Sequence, residues 1–286
     1  MPARPLHRSP GGRRRLPGTQ AEEMTEPRLR HDYQRQGPRY DSSRGASSAV
    51  LAAVAGALRD APGRAVLDVG GGTGNYAAAL RSMGWAPIVL DASREMRVVA
   101  LSKGLPVVAG EATGLPFPDS SFDAVTMISM LHQVNEWRRA LAEARRVLRP
   151  SGCLAVATLT SDHVRSVAWV FDLFPSMRAL SLRHRPSIQA LCDEAGGSAV
   201  IPFWQDDLTD GSIAALCNFP EAILDPSKRR QTSFFERLEC DHPEELEVGL
   251  GTLRSWLAAG RHPEAERTAA RRELGDGCVI AWQRPP

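Results

Sequence analysis

Apolar runs five or six residues long alternate with stretches of helical spacing through the middle of the chain, and this pattern sets the first expectations. Ala65-Val66-Leu67-Asp68-Val69 reads as a strand running into a turn packed with glycine. A helical pattern from Asn75 to about Met83 follows, and then Ala86-Pro87-Ile88-Val89-Leu90-Asp91 reads as a second strand ending in an acid. Ala124-Val125-Thr126-Met127-Ile128-Ser129 is apolar enough for a strand buried on both faces. From Glu136 to Leu148 the apolar positions 137, 141, 144, 147 and 148 keep helical spacing, and Pro150-Ser151-Gly152 ends that helix before the strand Cys153–Thr158. Upstream, a helical pattern from Ser47 to Leu58 precedes the turn Ala61-Pro62-Gly63. Strands that alternate with helices in this way predict an α/β fold built on a doubly wound, mostly parallel sheet.

The C-terminal half has a looser rhythm. Val164 to Phe174 is helical and aromatic, Ser187 to Glu194 reads as a capped helix closed by Ala195-Gly196-Gly197, and Ser198–Trp204 and Cys278–Trp282 read as two further strands. About seventy residues, Gln205 to Gly277, lie between these strands. Helical patterns at Ile213–Leu224, Phe234–Leu238 and Pro243–Ala259 favour a structured insertion there, expected to act as a helical cap over a substrate pocket. Its aromatics, with those just upstream, are the expected pocket walls: Phe171, Phe174, Trp204, Phe219, Phe234, Phe235 and Trp256. Residues 1–30 are rich in Pro, Arg and Gly without periodicity and are expected to form a flexible tail, leaving 31–286 as the folded domain.

The chemistry concentrates at Asp68-Val69-Gly70-Gly71-Gly72-Thr73-Gly74. Glycines at 70, 72 and 74 allow a tight turn in which main-chain N–H groups face a ligand. A dinucleotide fingerprint requires G-x-G-x-x-G, but counting from Gly70 the last position is Asn75, and Asp68 would repel a pyrophosphate. A phosphate-cradling P-loop needs a Lys after its second glycine, and none follows Gly74. A ligand without phosphate and with some positive charge fits better.

The D-x-G-x-G-x-G run after a first strand resembles motif I of the class I S-adenosylmethionine-dependent methyltransferases, whose cofactor carries an ammonium, a sulfonium and a ribose. The resemblance extends over residues 65–158. It includes Val107 through Asp123, similar to the family's third-strand segment, and Leu131-His132-Gln133-Val134 with the helix behind it, similar to the small-molecule methyltransferases related to quinone-biosynthesis enzymes. Tyr40-Asp41-x-x-Arg44 echoes the family's upstream Y-D-x-x-R. The resemblance implies a seven-stranded Rossmann-like sheet and a cofactor site of Tyr40, Asp68, Gly70, Gly72, Gly74, Asp91, Ala92, Met96, Glu111, Ala112, Thr113 and Ser129. Asp91 would accept the ribose hydroxyls, while Glu111, Ala112 and Thr113 would line the adenine, with Glu111 standing where the family usually has Asp. Tyr40 would lie near the reaction centre. A hydroxyl acceptor must lose a proton, and His132, just past the fourth strand, is the candidate base because an imidazole titrates near neutrality.

Composition narrows the remaining choices. Among 286 residues, 43% are hydrophobic, enough for a large core, and the net charge is +2. The cations are nearly all Arg, with Lys only at 103 and 228, and they do not cluster into a nucleic-acid track. The cysteines at 153, 192, 217, 240 and 278 stand singly, which argues against a zinc site and fits a reduced cytoplasm. Arg13-Arg14-Arg15 lacks the apolar segment of an export signal, and no run is long enough to span a bilayer. The expected partner is a small-molecule methyl acceptor, with neither nucleic acid nor membrane involved. Two rivals are a regulator that binds the cofactor without turnover and a methyltransferase acting on RNA or protein. Ser129-Met130-Leu131-His132 stands where base-methylating enzymes carry an N-P-P-Y-like tetrapeptide, which favours the small molecule.

Overall fold

The computed structural model describes residues 44–196 and 198–286, so Tyr40 and the expected tail lie outside the described residues. Helix α1 (Ser48–Ala57) opens the described chain. The first half then alternates β1 (Ala65–Val69), α2 (Asn75–Ser82), β2 (Ala86–Asp91), α3 (Arg94–Ser102), β3 (Val107–Ala109) and β4 (Phe122–Ile128). A short 3-10 turn, Leu131–Gln133, leads to α4 (Trp137–Val147) and β5 (Leu148–Thr158). Seven strands form one sheet in the order β3-β2-β1-β4-β5-β7-β6, where β6 is Ala199–Phe203 and β7 is Gly277–Gln283. The first five strands run parallel, and β7 is antiparallel to both β5 and β6. Strand order reverses between β1 and β4, which opens a crevice at their carboxyl ends where ligands of such sheets bind.

Local chemistry explains most boundaries. Ser47, Ser93 and Ser187 cap α1, α3 and α8 (Ile188–Ala195) by accepting the N–H of Val50, Met96 and Ala190, each cap contributing about 1 kcal/mol. Gly196 closes α8 in the left-handed region. The buried face of α4, Ala140, Leu141, Ala144 and Val147, packs with Leu67, Val125, Met127, Leu154 and Val156 in the main core. On the opposite face α1 and Leu80 of α2 cover Val66, Ala124 and Ala155.

β5 departs from expectation by starting at Leu148, directly after α4. Phe122 pairs with Leu148 and Ala124 with Cys153, so Pro150-Ser151-Gly152 bulges out of a strand already under way, with Ser151 at φ 61°.

Two stretches expected as single helices are broken, Val164–Phe174 between Ser166 and Val170, and Ile213–Leu224 at the Phe219-Pro220 step. After α5 (Ser161–Ser166) and α6 (Val170–Leu173), Phe174 turns extended at φ −131°, ψ 79°, and Pro175 starts α7 (Pro175–His184). α9 (Ile213–Leu216) likewise ends before Phe219 at φ −134°, ψ 71°, and Pro220 starts α10 (Pro220–Leu224). A proline ring clashes with helical backbone in the residue before it, so each Phe-Pro step sets a new helix axis. α11 (Pro226–Arg229) begins the same way, followed by α12 (Ser233–Asp241), α13 (Pro243–Ala258) and α14 (Thr268–Leu274). Of these, α9, α10, α12 and α13 share one core with α5–α7, in which Phe171, Phe174, Phe234 and Phe235 meet edge to face at centroid distances of 5.0–5.7 Å. These four rings, expected to line a substrate pocket, are packing residues: Phe171, Phe174 and Phe235 have no exposed surface, and Phe234 is 6% exposed. Of the other expected wall residues, Trp204 donates its indole N–H to the Arg271 carbonyl and Trp256 stacks under Arg261.

Candidate active site at the carboxyl ends of β1 to β4

The turn after β1 is shaped by three glycines in the left-handed region, and two of them have no room for a side chain. A Cβ on Gly74 (φ 78°) would lie 2.4 Å from Leu105 Cδ1, and one on Gly70 (φ 66°) 2.9 Å from the Met130 side chain. Over Gly72 (φ 57°) the same construction meets only the Met96 sulfur at 4.0 Å, leaving open space against the main chain. The turn is held on the β2 side, where the N–H groups of Gly70 and Gly71 donate to the Leu90 carbonyl.

Asp91 ends β2 and fastens the turn. Its Oδ2 accepts the Gly72 N–H at 2.9 Å and its Oδ1 the Ser93 N–H at 2.8 Å. Burial raises its pKa while the two backbone bonds and Arg97 oppose the rise. Arg97 also donates to the Asp91 and Ala92 carbonyls at 2.8 Å, locking the entry to α3. Each carboxylate oxygen keeps a lone pair for an outside donor.

Asp68 is buried, at 1% exposure. Its Oδ1 accepts the Thr126 hydroxyl at 2.8 Å, whereas Oδ2 is buried with no hydrogen-bond partner. Burial pushes its pKa up to about 7, against the pull of the Thr126 bond and with a further rise from the Asp91 charge. Thr126 sits opposite Asp68 in the β1–β4 register and was not among the expected site residues. Its signal was a lone hydroxyl in the apolar run Ala124–Ile128.

The other expected residues lie along the same edge. Glu111, Ala112 and Thr113 follow β3; Glu111 bridges to Gly114 and is exposed, Ala112 is buried and Thr113 half-buried. Ala92 is exposed at the mouth, and Met96 is buried behind Gly72. Ser129, exposed at φ 53°, turns the chain out of β4 and donates its N–H to the Ala157 carbonyl at 2.9 Å. His132, half-buried, sits on the 3-10 turn that follows.

One contact joins this edge to the region after β6. Arg44 pairs with Asp210 at 2.7 Å, and the Tyr76 hydroxyl donates to the other Asp210 oxygen at 3.1 Å. Asn75, the residue after Gly74, donates to the Arg44 carbonyl. The first turn of α2 is thereby tied to residues 205–212, which sequence reasoning did not foresee because the partners are 134 and 166 residues apart.

The donor set suits a ligand with hydroxyls and a positive charge. Asp91, Asp68 with its unpartnered buried oxygen, and an open glycine surface make up this donor set, while the lysine beside the turn, Lys103, is engaged by the Asn75 side-chain oxygen. Among the described residues no helix is long and apolar enough to cross a membrane, and no three metal-ligating side chains cluster.

Comparison with known proteins agrees. The family model described as "Methyltransferase domain" matches residues 67–156. The chain is 33% identical to a demethylmenaquinone methyltransferase of Mycolicibacterium paratuberculosis over 177 residues, which is 55% of this chain and 76% of that protein. It is 43% identical to a protein of the same name from Renibacterium salmoninarum over 106 residues, spanning 36% of this chain and less than half, 45%, of that relative. A putative methyltransferase from an antibiotic biosynthesis pathway of Anabaena variabilis superposes with a TM-score of 0.68 at 25% identity, covering 84% of this chain and 98% of that one. By fold, glycine turn and relatives, the chain belongs to the class I S-adenosylmethionine-dependent methyltransferases, related to the enzymes of quinone biosynthesis.

Proposed function

We propose that this chain methylates an O, N or C nucleophile of a small molecule in secondary or cofactor metabolism. The observation that carries the reading is the arrangement at the β1–β4 crevice: Asp91 holding the glycine turn with both oxygens while Asp68 presents a buried oxygen without a partner.

Asp91 would hold the ribose hydroxyls, Asp68 the ammonium group, and Glu111, Ala112 and Thr113 the adenine. The surface over Gly72 is where the ligand would lie against the main chain, and Tyr40, outside the described residues, is assigned to the same site. When bound, the cofactor supplies an electrophilic methyl group on a positively charged sulfur. The protein's own contribution is orientation. Holding a nucleophile in line at near-attack distance is worth up to about 7–11 kcal/mol in well-oriented systems. Ser129 and the 3-10 turn would form the acceptor side of the crevice, and the helices of residues 205–277 would shield it from water as a cap. For a hydroxyl acceptor, His132 takes the proton on an imidazole nitrogen as the O–C bond forms.

The test is a labelled methyl donor offered with a metabolite library, with calorimetry of the cofactor in parallel. Binding followed by transfer of label to a small molecule supports the reading. Binding without turnover on any acceptor favours a regulator, and label on RNA or protein favours a macromolecular substrate.

A further inference from the structure

Helix α7 lies across the 3-10 turn that carries His132 and also packs on α5. Its outward residues, Ala179 and Arg183, are exposed, and Met177 is buried in the helical core. Arg178 lies on α7 and Arg185 is the cap residue directly after it, at φ −108°, ψ 118°, its N–H still donating to the Ser181 carbonyl at 3.0 Å; a spacing of seven residues brings the cap back over the side of the helix that carries Arg178, and both are partly shielded.

Arg185 shows where that face points. Its guanidinium donates to the Leu159 carbonyl at 3.0 Å. Leu159 follows β5 and is two residues beyond Ala157, whose carbonyl receives the Ser129 N–H. At about 3.3 Å per residue this guanidinium lies roughly 7 Å further along the carboxyl edge, beside the ends of β4 and β5. Neither arginine forms an ion pair among the described residues. Asp162 on the adjoining α5 is already engaged by the Ile188 N–H at 2.7 Å and by Arg165 at 3.8 Å. Arg178 Nε is closed to solvent and has no hydrogen-bond partner. Burial pulls the Arg185 pKa down to about 10, which leaves it charged at neutral pH.

Two partly shielded guanidinium groups without carboxylates are poorly compensated, and a planar anion answers both, since a guanidinium fork matches a carboxylate. We propose that the methyl acceptor carries a carboxylate, and that Arg178 of α7 and Arg185 at its C-terminal cap seat it at the carboxyl ends of β4 and β5. This rests on the methyl-transfer reading and adds the substrate class. The same charges disfavour cationic acceptors such as amines protonated at neutral pH.

The experiment uses the full chain saturated with S-adenosylhomocysteine and titrates matched probes by calorimetry: 4-hydroxybenzoate against 4-hydroxybenzamide, and 4-hydroxyphenylacetate against its amide. Each carboxylate should bind at least tenfold more tightly than its amide. Arg185→Met should erase the preference, with partial recovery in Arg185→Lys, while S-adenosylhomocysteine affinity stays within threefold. Because Arg185 also holds the Leu159 carbonyl, Arg178→Met provides the variant without a native hydrogen bond to lose, and it should reduce the preference at least threefold. Equal affinity within both pairs, absence of binding by both carboxylates, or a preference that survives in both Met variants would overturn the proposal. If the wild type bound no S-adenosylhomocysteine, the methyl-transfer reading beneath it would fall instead.

Discussion

The crevice of the parallel sheet and the helical region formed by α5–α7 with α9–α14 are built on opposite terms. In the crevice cohesion comes from directed polar bonds: Asp91 accepts the Gly72 and Ser93 N–H groups, the Ser129 N–H donates to the Ala157 carbonyl, and buried Asp68 accepts the Thr126 hydroxyl with one oxygen left over. In the helical region cohesion comes from apolar contact, with Phe171, Phe174, Phe234 and Phe235 interlocked. The first region is specified by where single donors and acceptors point and the second by volume. Substitutions should therefore separate ligand binding and chemistry from stability.

The largest effect is expected at His132. If it is the base, His132→Ala should lower the single-turnover methyl-transfer rate by about 10²–10⁴ while cofactor affinity stays near wild type. The wild-type rate should also fall as pH drops and the imidazole becomes protonated, and the variant should lose that limb. A variant within threefold of wild type with the same pH limb makes His132 structural.

On the helical side, Phe235→Ala removes a ring with no exposed surface and should destabilise the fold by about 3–5 kcal/mol in denaturant titration. Cofactor affinity of the folded fraction should change less than threefold. A large affinity loss would show that the two regions do not separate, with the Arg44–Asp210–Tyr76 link as the connecting contact.

Asp68 gives the smallest effect and one of opposite sign. Its folded pKa, about 7, lies above its ordinary value of 3.8, so the native state holds an extra proton between these values. Stability from this group is greatest at low pH and is lost as pH rises through that window. Asp68→Asn should thus stabilise the ligand-free protein at pH 8 by about 1–3 kcal/mol in thermal melts while weakening the cofactor. A destabilised variant at that pH would contradict the buried, uncompensated oxygen.

The two regions also differed in how far the sequence could be read. In the sheet half, β2 falls on Ala86–Asp91 as expected, and Asn75 starts α2, because a short apolar run closed by an acid or a glycine turn is a local signal. That Asp91 fastens the glycine turn was hidden, since the bond spans 19 residues and depends on the β1–β2 register. Thr126 was hidden for the same reason: its importance lies in facing Asp68 across the sheet. In the helical half, periodicity ran through Phe219-Pro220, although the proline after the phenylalanine marked the break, and through the interruption between Ser166 and Val170. The aromatics there satisfied a pocket and a core equally well, and only their mutual packing decided for the core.

The central claim is that the glycine turn and the acid fastened to it form an S-adenosylmethionine site. The most direct test is calorimetry of the purified chain with S-adenosylmethionine, S-adenosylhomocysteine and NAD, repeated on Asp91→Ala. The account predicts saturable binding of the first two, none of NAD, and at least a tenfold loss in the folded variant, since a charge-assisted bond to the ligand contributes about 1.5–3 kcal/mol. Tight NAD binding without heat from S-adenosylmethionine, or unchanged affinity in a folded Asp91→Ala protein, would contradict it.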